Sequence, residues 1–230
     1  MSSPLSPFLI AMGGGTGSGK TTLAKRLVER YAQLGVAFVD QDSYYLDLSH
    51  LSDPERARAN FDEPAALDHD LLFEHLQWLL RGEAIEKPRY SFATHTRTGE
   101  FDRVASAPLI VLEGLFALWD SRVRALAGLK VYVDAAADLR FIRRLRRDVE
   151  ERGRTWQLVV EQYEHTVRPM HQQHIEPTKA FADLVLDTTD ESPEESVRKV
   201  CQNLYAVCPA LKESAPSLEL PPNGRYNLRR

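Results

Sequence analysis

Two patterns of apolar residues alternate along the chain. Short continuous apolar runs cover residues 8–12, 36–40, 109–114, 129–134 and 182–187. Their length and their β-branched and aromatic content predict buried strands. Between them, apolar residues recur at helical spacing. Leu23, Leu27, Val28 and Tyr31 share one face. Leu71, Leu72, His75, Leu76, Leu79 and Leu80 share another over 68–81, with Asp68 as N-cap and Gly82 as the stop. Further helices are predicted over 118–127, over 156–174 with a bend at Pro169, and from Ser192-Pro193-Glu194-Glu195 to about residue 207. This alternation predicts an α/β fold, a mostly parallel five-stranded sheet wrapped by helices.

Residues 86–106 break the rhythm. Lys87 to Phe92 alternates, and a turn signal follows over 94–101, so an inserted β-hairpin flap is predicted. Aromatics, a histidine and an arginine on such a flap suit a surface that grips a flat ring. An ordinary hairpin with scattered polar residues explains them equally well. The folded unit is expected to be a single domain over 8–207, with the flap at about 86–106 and a helical lid at about 138–174. Residues 1–7 and the proline-rich 209–230 are expected to be loosely ordered tails.

Composition narrows the classes. A chain of 230 residues with 43% hydrophobic residues can bury a substantial core. The net charge of −4 argues against a nucleic-acid partner. Cys201 and Cys208 are too few for a disulfide framework and lack metal-ligand partners at the usual spacing, which fits reduced thiols in a cytoplasmic protein. No apolar run reaches membrane-spanning length, and the first seven residues lack a signal-peptide pattern.

The chemistry starts at the end of the first strand. Gly14, Gly15, Thr16, Gly17, Ser18, Gly19, Lys20 and Thr21 fit G-x-x-x-x-G-K-[ST] without a mismatch, and Thr22 follows as the helix begins. Glycines let backbone N–H groups converge on phosphate oxygens, and the helix N-terminus adds partial positive charge. Lys20 is expected to reach the β- and γ-phosphates, and the Thr21 hydroxyl to bind Mg²⁺. The second strand ends in Asp40, with Asp42 just beyond it; strand ends of α/β sheets face the ligand crevice, so both are candidates. One isolated aspartate there would be a helix cap or turn former, but two just past a strand, after a phosphate loop, favour function for at least one. Glu113 ends the third strand, where an acid holds Mg²⁺ directly or through water.

Seven arginines lie between Arg140 and Arg154, threaded by Leu139, Phe141, Ile142, Leu145 and Val149. For most of them the expectation is a solvated face of an amphipathic helix ending at Gly153. Some of them would form a lid over a transferring phosphate. His171 and His174 form an i,i+3 pair without a nearby third ligand, so metal binding is not expected there.

An ordered series of motifs then points further. After the phosphate loop come Gln41-Asp42-Ser43-Tyr44-Tyr45, Asn60-Phe61-Asp62, Pro88-Arg89-Tyr90-Ser91-Phe92, His95-Thr96-Arg97, Leu112-Glu113-Gly114, the stretch from Arg147 to Arg154, Gln162-Tyr163 and Pro177-Thr178-Lys179. In this order the chain resembles the uridine–cytidine kinases of the phosphoribulokinase/uridine kinase group over nearly all of 8–187. The resemblance implies a P-loop kinase fold and transfer of phosphate from ATP, with Mg²⁺, to the 5′-hydroxyl of uridine or cytidine. It implies Asp42 as general base and Asp62 as acceptor from the ribose hydroxyls. Tyr90, Phe92 and His95 would line the pyrimidine site. Arg144, Arg154 and Gln162 match substrate or phosphate contacts, and Arg152 belongs to the lid over ATP. Thr21, Asp42 and Glu113 would surround the metal. A homo-oligomer, a tetramer, is also implied, although no interface pattern shows in the sequence.

Two departures accompany the resemblance. The family has Pro-Arg-Gly after the last strand, near the donor base, where this chain has Asp187-Thr188-Thr189-Asp190. Gly17 stands where alanine is usual, a change expected only to loosen the turn. The nearest rival is a sister kinase acting on ribulose 5-phosphate or pantothenate; the aromatic flap favours a flat base instead. A nucleotide-driven switch is disfavoured, because no Asn-Lys-x-Asp motif is present.

Overall fold

Alternate residues of the first strand enter two different cores. In the computed structural model, which describes residues 5–213, β1 (Phe8–Gly13) sends Leu9 and Ala11 to one face of the sheet and Ile10 and Met12 to the other. A strand covered on both faces needs apolar residues at every position, so its sequence is a continuous run. The main sheet has the order β2 (Val36–Asp40), β5 (Leu109–Glu113), β1, β6 (Leu129–Asp134) and β7 (Leu184–Asp187), all parallel. Helix α1 (Lys20–Arg30) and α8 (Pro193–Val207) cover one face through Leu23, Leu27, Val200 and Leu204. Helix α3 (His69–Leu80) and α4 (Ser121–Leu126) cover the other through Leu72, Leu76, Leu79 and Val123. The short α2 (Asp53–Arg58) starts with a capping box between Ser52 and Glu55.

The inserted flap is a separate antiparallel pair, β3 (Ile85–Ser91) and β4 (Thr96–Val104), with a bulge between Pro88 and Tyr90. Arg97 ties it to the body. It donates from Nε to the Tyr45 carbonyl at 3.0 Å and from Nη2 to Asp68 Oδ2 at 3.1 Å. Lys87 on β3 makes an ion pair with Asp40 at the end of β2.

The region expected to form a lid consists of α5 (Ala137–Glu150) and a second helical run. That run is not one bent α-helix. It comprises α6 (Trp156–Gln162), a π turn over Tyr163–Val167, the short α7 (Arg168–Met170), a second π turn over His171–Ile175 and a 3₁₀ turn over Glu176–Phe181. The two π turns flank Pro169, whose ring cannot follow a regular i→i−4 ladder.

Helix α5 overturns the expectation of a solvated arginine face. Its buried residues are Arg140, Arg144 and Asp148, an i,i+4 series, while Ile142 and Val149 are 41% and 39% exposed. The charged stripe faces inward: Arg140 packs against Gly15 and Gly17 of the phosphate loop and donates to the Ala135 carbonyl, Arg144 reaches Thr16 Oγ1, and Asp148 accepts from neighbouring arginines.

The chain also stays folded further than its proline content predicts. Leu211, in α9 (Ala210–Glu213), is buried in the core beside α8, and Leu5 packs against the same cluster. The rest of both predicted tails lies outside the described residues. Among the described residues, both cysteines are free, with Cys201 buried, and no helix is long and apolar enough to cross a membrane.

Candidate active site

A parallel sheet brings all its strand ends to one edge. Met12 and Asp40 both pair in register with Glu113, so the phosphate loop, the Asp42 turn and Glu113 sit side by side. Gln41 anchors the turn that carries Asp42: its Oε1 accepts from Phe116 N at 2.8 Å. Its side chain lies so close to Gly114 that a Cβ there would be 2.3 Å away. Sequence reading overlooked both contacts, because they depend on β2 and β5 being neighbours.

Within the loop, Thr21 Oγ1 donates to Glu113 Oε1 at 3.1 Å, and Lys20 Nζ lies 3.6 Å from the same oxygen. Ser18 Oγ is buried without a hydrogen-bond partner. An unpaired hydroxyl in a cradle of backbone N–H groups is what a phosphate oxygen would satisfy. Gly17 corrects the expectation of a merely looser turn. Its φ is +73°, and an added Cβ would lie 2.2 Å from the carbonyl oxygen of Arg140. Helix α5 therefore packs on the loop at a distance only glycine permits.

Asp42 is partly buried beside Glu113, and its carboxyl is pushed up to about 6. Burial is the main cause; Glu113 and Asp40 add to it, while Lys20 and Arg152 oppose it. Asp40 is engaged elsewhere, accepting from Ser43 and pairing with Lys87. Thr21, Asp42 and Glu113 thus offer hard oxygen donors around one point. They fit Mg²⁺, which binds through one or two carboxylates plus substrate phosphates rather than in an all-protein cage. Among the described residues no cluster of three or more His, Cys, Asp or Glu side chains that could hold a metal ion is formed.

Facing the loop is an aromatic cleft. Tyr45 packs against Phe61, Tyr90 and Phe92 with ring centroids 5.5, 5.3 and 6.4 Å apart. The Tyr90 hydroxyl is buried without a partner. His95, at the hairpin turn, has φ +55° and stacks on Phe61 at 4.7 Å. Burial and the charges of Arg154 and Arg56 lower its pKa, so its imidazole is neutral at pH 7.

The polar wall of the cleft comes from the lid. Asp148 is fully buried and pairs with Arg144, Arg147, Arg152 and Arg154 at 3.6, 2.8, 3.4 and 3.3 Å. Gln162 Oε1 accepts from Arg154 at 3.1 Å and from Arg144 at 3.4 Å. Asp62 accepts from Thr166 Oγ1 at 3.0 Å; burial raises its pKa, against the pull of Arg144. Arg144 and Arg147 also reach Thr16 Oγ1, at 3.4 and 3.5 Å. Arg152 lies over the Phe92 ring, 5.3 Å from its centroid, and so joins lid to flap. Of the expected site residues, Asp62, Tyr90, Phe92, His95, Arg144, Arg152, Arg154 and Gln162 are linked by these contacts, and Lys20 and Thr21 meet Glu113 at the loop. Asp148, Arg147 and Arg97 stood inside the quoted motifs but were given no role; a lone aspartate inside an arginine run was the available signal for the first.

The chain matches the model of the Phosphoribulokinase / Uridine kinase family over residues 9–193. It belongs to that family. A uridine kinase of Halalkalibacterium halodurans is 50% identical over 180 residues, covering 78% of this chain and 85% of the relative. A uridine kinase of Brevibacillus brevis is 49% identical over 200 residues, covering 87% and 91%. The fold is shared with the phosphoribulokinase of Rhodobacter spheroides, at a TM-score of 0.60 and 14% identity over 82% of this chain and 74% of that one. A D-glycerate 3-kinase of Cryptococcus neoformans is similar over 68% and 75%, at a TM-score of 0.52 and 16% identity.

Proposed function

We propose that this chain is an ATP-dependent uridine kinase that also accepts cytidine, forming UMP and CMP. The observation that carries the reading is the placement of Asp42 between the phosphate loop and the aromatic cleft. The half-identical relatives named uridine kinases support it. In this reading Asp42 takes the proton of the nucleoside 5′-hydroxyl as its oxygen bonds to the γ-phosphorus. The bond from that phosphorus to the bridging oxygen breaks, and ADP leaves. Lys20 and the lid arginines hold the oxygens of the transferring group, where charge is concentrated in the transition state. Thr21, Asp42 and Glu113 would hold Mg²⁺, which would supply charge neutralisation for the transferring phosphoryl group.

The acceptor is held in the cleft. Asp62 accepts from the ribose hydroxyls, with Arg144, Arg154 and Gln162 around it. Tyr90 and Phe92 enclose the pyrimidine. The neutral His95 ring can donate to O4 of uridine or accept from N4 of cytidine, according to its tautomer. The test is ADP release against a panel of nucleosides and sugar phosphates, in wild type and Lys20→Ala. Release should depend on uridine or cytidine and fall ~10²-fold or more in the variant. Release driven instead by ribulose 5-phosphate or pantothenate would move the chain to a sister activity. Wild-type turnover in Lys20→Ala would overturn the loop assignment.

A further inference from the structure

The phosphate loop rests on two buried side chains to which the proposed reaction gives no part. A Cβ added at Gly15 would lie 2.6 Å from Arg140 Nη1, 3.0 Å from His171 Cε1 and 3.1 Å from His171 Nδ1. Arg140 thus touches the loop twice, with its guanidinium at Gly15 and its carbonyl oxygen at Gly17. Arg140 and His171 are each 7% exposed. His171 opens the second π turn, a helix distortion that recurs at functional sites.

The guanidinium is pinned at two points. Nε donates to the Ala135 carbonyl at 3.1 Å, and Nη2 lies 3.1 Å from His171 Nε2. The same ring nitrogen lies 3.0 Å from Glu176 Oε2, which also accepts from the Tyr132 hydroxyl at 3.3 Å. Opposite demands meet at Nε2. A guanidinium only donates and needs a lone pair there; a carboxylate only accepts and needs a proton. Burial and the charge of Arg140 lower the pKa of His171 against the pull of Glu176, so the ring is neutral at pH 7 and meets one demand at a time. Glu176 keeps half its side chain in solvent, where water can serve it, whereas Arg140 is buried. The lone pair of Nε2 therefore belongs to Arg140, and the ring proton sits on Nδ1. Nδ1 is buried without a partner beside Gly15. An apolar side chain here would remove that unpaired group but would leave Arg140 without its acceptor.

We propose that His171 is a positioning residue for phosphoryl transfer: by accepting from Arg140 it sets the guanidinium against Gly15 and holds the arc from Gly15 to Gly17 in the shape that receives the transferring phosphate. Loop N–H groups stabilise the developing charge only if they are aimed before the reaction starts. A wall that can shift lets the arc relax, so kcat falls while the acceptor cleft stays as it was. The inference rests on the proposed use of the phosphate loop for a nucleoside triphosphate.

Two amide substitutions of the full-length protein test it, because they differ in reach and not in polarity. In His171→Gln the amide oxygen can stand near the place of Nε2 and accept from Arg140. In His171→Asn the amide ends near the place of Nδ1 and falls short. His171→Gln should keep kcat with ATP and uridine within about threefold of wild type, and His171→Asn should lower it about tenfold, with the KM for uridine unchanged in both. Titration with ADP should show weaker binding by His171→Asn, and amide exchange should accelerate over residues 14–20 but not in the five-stranded sheet. Equal kcat in the two variants, or a lowered kcat with unchanged loop exchange, overturns the assignment. A lower Tm with kcat, ADP affinity and loop exchange all at wild-type values makes His171 a packing residue and overturns it too. Titration and exchange need no acceptor. If turnover requires a different acceptor while the two variants keep their order, the uridine kinase reading falls and this one stands.

Discussion

At the scale of single residues, Asp42 carries the sharpest consequences. Its folded-state pKa of about 6 lies above the ordinary carboxylate value of about 4. A raised acid is protonated in the native state where the unfolded chain is already ionised, so its contribution to stability is lost as pH rises from about 4 through 6. Asp42→Asn should therefore stabilise the protein above pH ~6, by about 1 kcal/mol or 2–4 °C in Tm, and gain nothing below pH ~4. The same substitution should lower kcat ~10²–10⁴-fold, because the base is gone. In wild type, kcat/KM for uridine should fall about tenfold per pH unit below pH ~6, as the base becomes protonated. Asp40→Asn should cost far less, since Asp40 is committed to Lys87 and Ser43. A larger loss there in side-by-side kinetics would mean that the wrong carboxylate has been assigned. His95→Leu removes the partner of the base edge. It should lower kcat/KM by ~1–3 kcal/mol for both nucleosides and leave the KM for ATP unchanged.

At the scale of elements, α5 works as a holder of arginines rather than as a solvated helix. Asp148 neutralises part of a cluster of four guanidinium groups that would otherwise repel one another out of the cleft. Asp148→Asn leaves the buried Arg144 without its counter-charge, a change expected to cost about 3 kcal/mol, with little added by the partly exposed Arg147, Arg152 and Arg154. Urea denaturation should show that loss, and steady-state kinetics should show a raised KM for both substrates. Arg146 is exposed on the same helix. Arg146→Ala should stay within ~0.5 kcal/mol of wild type. Equal effects of the two substitutions would return the arginine run to a surface role.

For the whole molecule, the acceptor site lies between two sheets that share no strand, and its geometry depends on how the flap is fastened. Arg97 is the main polar fastener, reaching the carbonyls of Tyr44 and Tyr45 and the carboxylate of Asp68. Arg97→Ala should free the hairpin from the body without disturbing the main sheet. The expected signature is a KM for uridine raised about tenfold, with the KM for ATP near wild type. Amide exchange should accelerate in residues 85–104 but not in the five-stranded sheet. Exchange that accelerates equally in both sheets would mean that flap and body open as one unit.

Local rules account for most of what could be read before folding. Continuous apolar runs mark strands covered on both faces, caps such as Asp68 and Ser192 mark helix starts, and the loop from Gly14 to Thr21 announces a phosphate site by spacing alone. The flap was legible from alternation, and the candidate site residues from an ordered set of motifs. What escaped depends on partners distant in sequence. Helix α5 buries its charged stripe because the phosphate loop, over a hundred residues earlier, packs against Arg140 and takes Arg144 at Thr16 Oγ1; composition alone predicts the opposite face. The need for glycine at position 17 arises from the Arg140 backbone, and the need at 114 from Gln41. Leu211 is held in the core by contacts that a proline-rich stretch does not advertise. Periodicity and capping are properties of neighbouring residues and are written along the chain. Which charges are buried and how closely two backbones approach are settled only when distant segments meet.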